Sequence, residues 1–139
     1  MSNPQTFEVV IPNEPSEGQV VQSRVVELLE QYGFSGRDVF SVRLAMEEAL
    51  VNAIKHGNQM DPDKTVRLEC HVDEDRVRIV IEDQGPGFDP GSLPDPTAEE
   101  NLEMPGGRGV MLIQSFMDNV QYNDRGNMIT MERSRSEED

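Results

Sequence analysis

A row of polar side chains on one predicted helix is the first candidate for chemistry in this chain. Glu48, Asn52 and His56 recur at intervals of four residues, a spacing that stacks side chains on one face of an α-helix. The apolar stripe of the same helix consists of Val42, Met46, Ala49, Leu50 and Ala53. The polar row lies roughly a quarter turn from that stripe, so it indicates a cleft beside the core. Without further context, Glu47 and Glu48 would be interpreted as a solvated helix face.

A second candidate is the carboxylate of Asp83, which follows an apolar strand pattern and precedes Gly85 and Gly87. Glycines allow a backbone to approach a flat ring because no side chain intervenes. The same residues also suit an ordinary turn at the end of a strand. Taken alone, this segment leaves both interpretations open.

A third candidate is the pair Gly107 and Gly109, which precedes a short helical pattern beginning at Val110. The first amides of a helix have no internal partner and carry the positive end of the helix dipole, so this segment predicts an anion site. It differs from the common phosphate loop, because Gly-x-x-x-x-Gly-Lys-Ser/Thr does not occur in the chain. Arg108 between the glycines could contact a terminal phosphate or pair with Glu103.

The three segments, taken in their order along the chain, resemble the motifs of a known family. Segments 47–58, 83–89 and 106–113 together resemble the left-handed ATP-binding fold, or Bergerat fold, shared by gyrase-type ATPases and sensor histidine kinases. The variant is most similar to the anti-sigma-factor serine/threonine protein kinases, the RsbW-like family. The resemblance runs from about Phe7 to about Arg133 and implies one histidine-kinase-like ATPase domain.

The resemblance also implies roles for individual residues. Glu48 would be the general base, and the carbonyl oxygen of Asn52 would bind Mg²⁺, which prefers oxygen ligands. Asp83 would accept a hydrogen bond from the adenine amino group, which favours ATP over GTP because guanine carries a carbonyl there. The remaining nucleotide contacts are expected at Gly85, Gly87, Gly107, Arg108 and Gly109.

The function implied by the resemblance is a kinase that phosphorylates a serine on an anti-sigma-factor antagonist and sequesters a sigma factor. A homodimer through the sheet edge or the first helix is a further expectation of the same origin. The chain has Met104-Pro105 where some kinases of this family have a lid arginine. This difference keeps a second hypothesis open, a nucleotide-responsive anti-sigma or adaptor module without kinase activity.

Composition limits the classes of partner and compartment. The 139 residues suit one domain, and the formal net charge of −15 disfavours direct contact with nucleic acid or anionic lipid. The acidic surface suits a basic protein partner. One cysteine, no apolar stretch of membrane-spanning length and no basic start at the N-terminus predict a cytoplasmic protein without disulfides.

Hydrophobic periodicity predicts an α+β two-layer sandwich, a mixed and mostly antiparallel sheet covered on one face by three helices. The predicted helices run to Gly33, from about Arg37 to Ile54 with an end at Gly57, and over 110–117. The predicted strands are 7–11, 66–72, 76–82, 120–122 and 128–131, with Cys70 half-buried and the Ser134–Asp139 tail frayed.

Other classes fit less well. A histidine kinase would need a phosphoacceptor helix with a reactive histidine, and the sequence shows none. A Ser-His-Asp hydrolase would need the motif Gly-x-Ser-x-Gly, which the chain lacks. One cysteine and two separated histidines are too few of the usual ligands for a structural zinc site. His56 is interpreted as a helix cap and Arg24 as a solvated side chain, although each could serve the site or a partner surface.

Overall fold

A computed structural model describes residues 4–85, 113–123 and 126–136. The helices within these ranges include none that is long and apolar enough to cross a membrane. The sequence also predicts that Phe88 to Arg108 form a lid that nucleotide orders, and these residues lie outside the described ranges.

Five strands form one sheet. They are β1 Gln5–Pro12, β2 Thr65–Val72, β3 Arg76–Glu82, β4 Asn119–Tyr122 and β5 Met128–Ser134. Their spatial order is β1-β2-β3-β5-β4, and each of the four pairings is antiparallel. The predicted mostly antiparallel sheet is thus confirmed, and none of the pairings between the described strands is parallel. Because Glu82 pairs with Met128, the residues after β3 lie beside the residues before β5.

Two long helices cover one face of the sheet, α1 Pro15–Gln31 and α2 Gly36–Val51. Proline at the start of α1 suits a position whose amide has no helical partner, and Gly33 with φ of +74° ends the helix as predicted. The Ser35 hydroxyl caps α2 by accepting from the Asp38 amide at 3.1 Å. Residues 113–116 form the described part of a third helix.

The core lies between the helices and the sheet, because alternate residues of each strand point toward α1 and α2. The predicted α2 stripe is buried together with Val21, Val25 and Leu29 of α1 and Val66, Leu68, Cys70 and Val72 of β2. Cys70 is fully buried rather than half-buried, and this burial raises the pKa of its thiol to about 12. Arg24 is exposed as predicted, but its guanidinium also lies 3.8 Å above the Phe7 ring.

The start of the predicted frayed tail is fixed to the core, so that prediction is wrong for residues 134–136. Ser134 ends β5, and Ser136 donates to the fully buried carboxylate of Asp38 through its amide at 2.9 Å and its hydroxyl at 2.5 Å. Arg133 donates to the same carboxylate at 2.9 Å. Burial alone would raise the pKa of Asp38, but the hydrogen bonds from Ser136 and Arg133 outweigh it and leave the pKa lowered.

Candidate functional site

The first two candidate residues lie at the end of α2, Glu48 in its last turn and Asn52 directly after it. Glu48 and Asn52 are half-buried, whereas their neighbour Glu47 is exposed. The core side chains Ala49 and Ala53 lie next to this row and are buried, so packing of the apolar stripe fixes the rotation of the helix. The predicted position of Glu48 and Asn52 beside the core agrees with this burial pattern.

The helix changes its winding at Asn52, which the sequence did not predict. Residues Asn52–Gly57 form a π-helix, and the Asn58 amide donates to the Ala53 carbonyl at 2.8 Å. Because a π-turn holds more residues per turn than an α-turn, the four-residue spacing no longer aligns Asn52 with His56. His56 is exposed, so the predicted row of three is reduced to Glu48 and Asn52. Single π-turns inside α-helices are frequent at functional sites.

The carboxylate of Asp83 lies against the end of this helix. A Cβ atom added to Gly57 would approach Asp83 Oδ1 to 2.7 Å, closer than real Cβ atoms come to other atoms. The Gly85 amide donates to Asp83 Oδ1 at 2.8 Å. A larger residue at position 57 would therefore displace the Asp83 carboxylate, which occupies the space that a side chain there would fill.

Gly85 is required by a second close approach. A Cβ on Gly85 would lie 2.5 Å from the carbonyl carbon of Gly57, so the segment after β3 runs directly over the end of the π-helix. The structure thus brings Asp83 and Gly85 to the helix that carries Glu48 and Asn52.

Buried asparagines surround Asp83, and sequence reasoning assigned no role to them. Asn58 is fully buried and its Oδ1 accepts from the Gln84 amide at 2.7 Å. Asn127 donates from Nδ2 to the Asp83 carbonyl at 3.0 Å, and its own carbonyl accepts from the Asp83 amide at 2.9 Å. The sequence signal was weak, because asparagine after a helix-ending glycine or in a turn is common.

The remaining predicted contacts, Gly87, Gly107, Arg108 and Gly109, lie outside the described residues. The described residues include no group of three or more His, Cys, Asp or Glu side chains able to hold a metal ion. Asn52 contributes an amide oxygen, a ligand type that Mg²⁺ accepts together with water and phosphate oxygens. This donor fits a metal ion that arrives with a nucleotide.

Comparison with known protein families agrees with the fold and the site described above. The chain matches the histidine kinase-like ATPase domain over residues 11–133. It therefore belongs to the histidine kinase-like ATPase domain family, which confirms the predicted superfamily.

Among its relatives, the chain is similar to proteins named serine-protein kinase RsbW. It is 29% identical to that of Oceanobacillus iheyensis over 146 residues, covering 100% of this chain and 92% of the relative. It is 24% identical to that of Bacillus subtilis over 128 residues, covering 86% of this chain and 79% of the relative. A solved structure of the RsbU and RsbW domains of a Mycobacterium tuberculosis protein has the same fold, with a TM-score of 0.64 and 14% identity. That match covers 94% of this chain and 32% of the larger one.

Proposed function

We propose that this protein is an ATP-dependent serine/threonine protein kinase that acts as an anti-sigma regulatory factor. It phosphorylates a serine on an anti-sigma-factor antagonist and sequesters a sigma factor. Family membership and the names of the relatives support this proposal. The observation that carries it is the contact between Asp83 and Gly57, which sets a carboxylate at the end of the helix bearing Glu48 and Asn52.

The proposed reaction begins with recognition of the base. Asp83 accepts a hydrogen bond from the adenine amino group, and the triphosphate extends along the helix toward Asn52 and Glu48. Asn52 would hold Mg²⁺ through its amide oxygen, and the charge of the ion would offset that of the phosphates. Gly87, Gly107, Arg108 and Gly109 complete the expected nucleotide contacts in the part of the chain that is not described.

Glu48 then acts as the general base toward the substrate protein. Its carboxylate takes the proton from the serine hydroxyl, and the serine oxygen forms a bond to the γ-phosphorus. The bond from that phosphorus to the β–γ bridging oxygen breaks, and ADP leaves. The half-buried position of Glu48 suits this role, because partial burial limits its contact with water while leaving the side chain accessible to a substrate.

Phosphoryl transfer from ATP labelled at the γ-position to a purified antagonist tests this proposal. Glu48→Gln should retain ATP binding and lose transfer by about 10²-fold or more. Glu47→Gln is the matched control, because Glu47 is the adjacent glutamate and is exposed, and it should retain both. ATP binding by the wild type without any transfer would instead favour the nucleotide-responsive binding module.

The same antagonist and a sigma factor are the proposed partners. With a net charge of −15, the protein attracts a basic partner, so sigma-factor affinity should fall as salt rises. We also propose a homodimer. The strand β1 lies at an edge of the described sheet with β2 as its neighbour, and a two-fold pairing would cover this edge in both copies.

A further inference from the structure

Two asparagines hydrogen-bond the main chain of Asp83 and Gln84 just after β3. Asn127 precedes β5 and contacts both main-chain polar groups of Asp83: its side-chain Nδ2 donates to the Asp83 carbonyl at 3.0 Å, and its main-chain carbonyl accepts from the Asp83 amide at 2.9 Å. Asn58 follows the π-helix and accepts from the next amide, that of Gln84, at 2.7 Å. The peptide groups on both sides of the Asp83 side chain are thus fixed.

Each asparagine is itself held in one orientation. The Nδ2 group of Asn58 donates to Asn13 Oδ1 at 3.0 Å and to the Thr65 carbonyl at 2.9 Å. Asn127 is 8% exposed, and its Oδ1 accepts from Asn123 Nδ2 at 2.8 Å. Because every amide oxygen faces a donor and every amide nitrogen faces an acceptor, neither side chain can rotate without losing hydrogen bonds inside the protein.

Rigid placement matters for a carboxylate that selects between bases. A hydrogen-bond acceptor rejects a ligand with a carbonyl at the same place only if it cannot turn away from the repulsion. The Asp83 carboxylate accepts from the Gly85 amide at 2.8 Å, so while its main chain is fixed on both sides it cannot turn without losing that hydrogen bond. We propose that Asn58 and Asn127 act as a clamp on Asp83 and thereby set the preference of the site for a 6-aminopurine over a 6-oxopurine nucleotide.

This inference rests on the proposed function, since it takes Asp83 as the residue that faces the base. Both asparagines are positioning residues that act through Asp83. A purely structural role would lower stability and the fraction of active protein, which affects all nucleotides equally. The clamp instead predicts a change in the ratio of affinities for ATP and GTP, and that ratio does not depend on the active fraction.

Calorimetric titration of the full chain with MgATP and MgGTP tests the clamp. Asn127→Asp keeps the size of the side chain and the acceptor for Asn123, but it turns an oxygen toward the Asp83 carbonyl in place of the Nδ2 donor. The ratio of ATP to GTP affinity should fall about tenfold, mainly through weaker ATP binding. Ile79→Val, at a fully buried position in β3, is the control for lost stability and should keep the wild-type ratio.

The possible outcomes separate the two proposals. A wild-type protein that binds GTP as tightly as ATP overturns the assignment of Asp83, and the clamp with it. A wild-type preference for ATP that Asn127→Asp leaves unchanged overturns the clamp alone. If Asn127→Asp does not fold by circular dichroism, Asn127→Ser removes the same donor without adding charge, and an unchanged ratio in that variant also overturns the clamp.

Discussion

Adding one methyl group at Gly57 tests whether Asp83 belongs to the nucleotide site. In Gly57→Ala the new Cβ would lie 2.7 Å from Asp83 Oδ1, whereas ordinary van der Waals contact begins at 3.4 Å. The carboxylate must therefore move by at least the difference, 0.7 Å. Because the atoms in the way belong to the Asp83 side chain and not to the main chain, the methyl should displace the carboxylate, with loss of its hydrogen bond from the Gly85 amide.

That displacement is large on the scale of a hydrogen bond. A bond of about 2.8 Å stretched by this amount would reach the outer limit of hydrogen-bond geometry. A hydrogen bond to a charged group contributes roughly 1.5–3 kcal/mol, so the dissociation constant for ATP should rise between about 10-fold and 150-fold. The free energy of unfolding should change less than ATP binding does.

Titration calorimetry with MgATP and urea unfolding of the same samples provide the two measurements. Gly36→Ala is the matched control, because a Cβ at Gly36 meets no atom within 4 Å and the residue begins α2, whose end continues into the π-helix that Gly57 closes. It should bind ATP like the wild type. A folded Gly57→Ala protein with wild-type affinity would refute the placement of the base beside Asp83.

Three further predictions follow from the same structure. Asn52→Ala should reduce the Mg²⁺-dependent part of ATP affinity in titrations with and without the metal, and an unchanged metal dependence would contradict its role. Asp38→Ala should lower the free energy of unfolding at pH 7 by about 3–5 kcal/mol, because it leaves Arg133 without its buried partner. The lowered pKa of Asp38 means that this contribution exists above the unfolded pKa and is lost as pH falls through the folded one. Urea midpoints of wild type and variant should therefore converge below about pH 4, and a constant difference would contradict the assignment. Light scattering should give a dimer mass at micromolar concentration, and a monomer that persists with MgATP would refute the dimer.

Local sequence patterns were enough to predict most of the elements. The alternation in β2 and β3 predicted strands within one residue of their observed ends, because half-buried strands expose every second side chain. The apolar stripe of α2 predicted which face lies on the sheet. The fold and the family are confirmed. The roles of Glu48 and Asn52 stay predictions, because burial and position alone do not test them.

Contacts between polar groups far apart in the sequence were not predictable. The bond between Asn58 and Asn13 joins residues 45 positions apart, and that between Ser136 and Asp38 joins residues 98 positions apart. Hydrophobic periodicity reports which residues are buried, but it does not report which buried polar groups pair. For this reason the charged C-terminal segment was predicted to fray, although Arg133 and Ser136 are attached to the core.

The long-range polar contacts have a common effect on the helix that carries the candidate catalytic residues. At the start of α2, Asp38 is bound by Arg133 and Ser136. Beyond the π-helix at its other end, Asn58 is bound to Thr65 and Gln84. A helix packed only by apolar side chains can shift along a sheet at modest cost, whereas buried hydrogen bonds are lost abruptly when their partners move apart. Anchoring both ends therefore fixes the row of Glu48 and Asn52 along its length, which is what positioning a base and a metal ligand against one phosphoryl group requires.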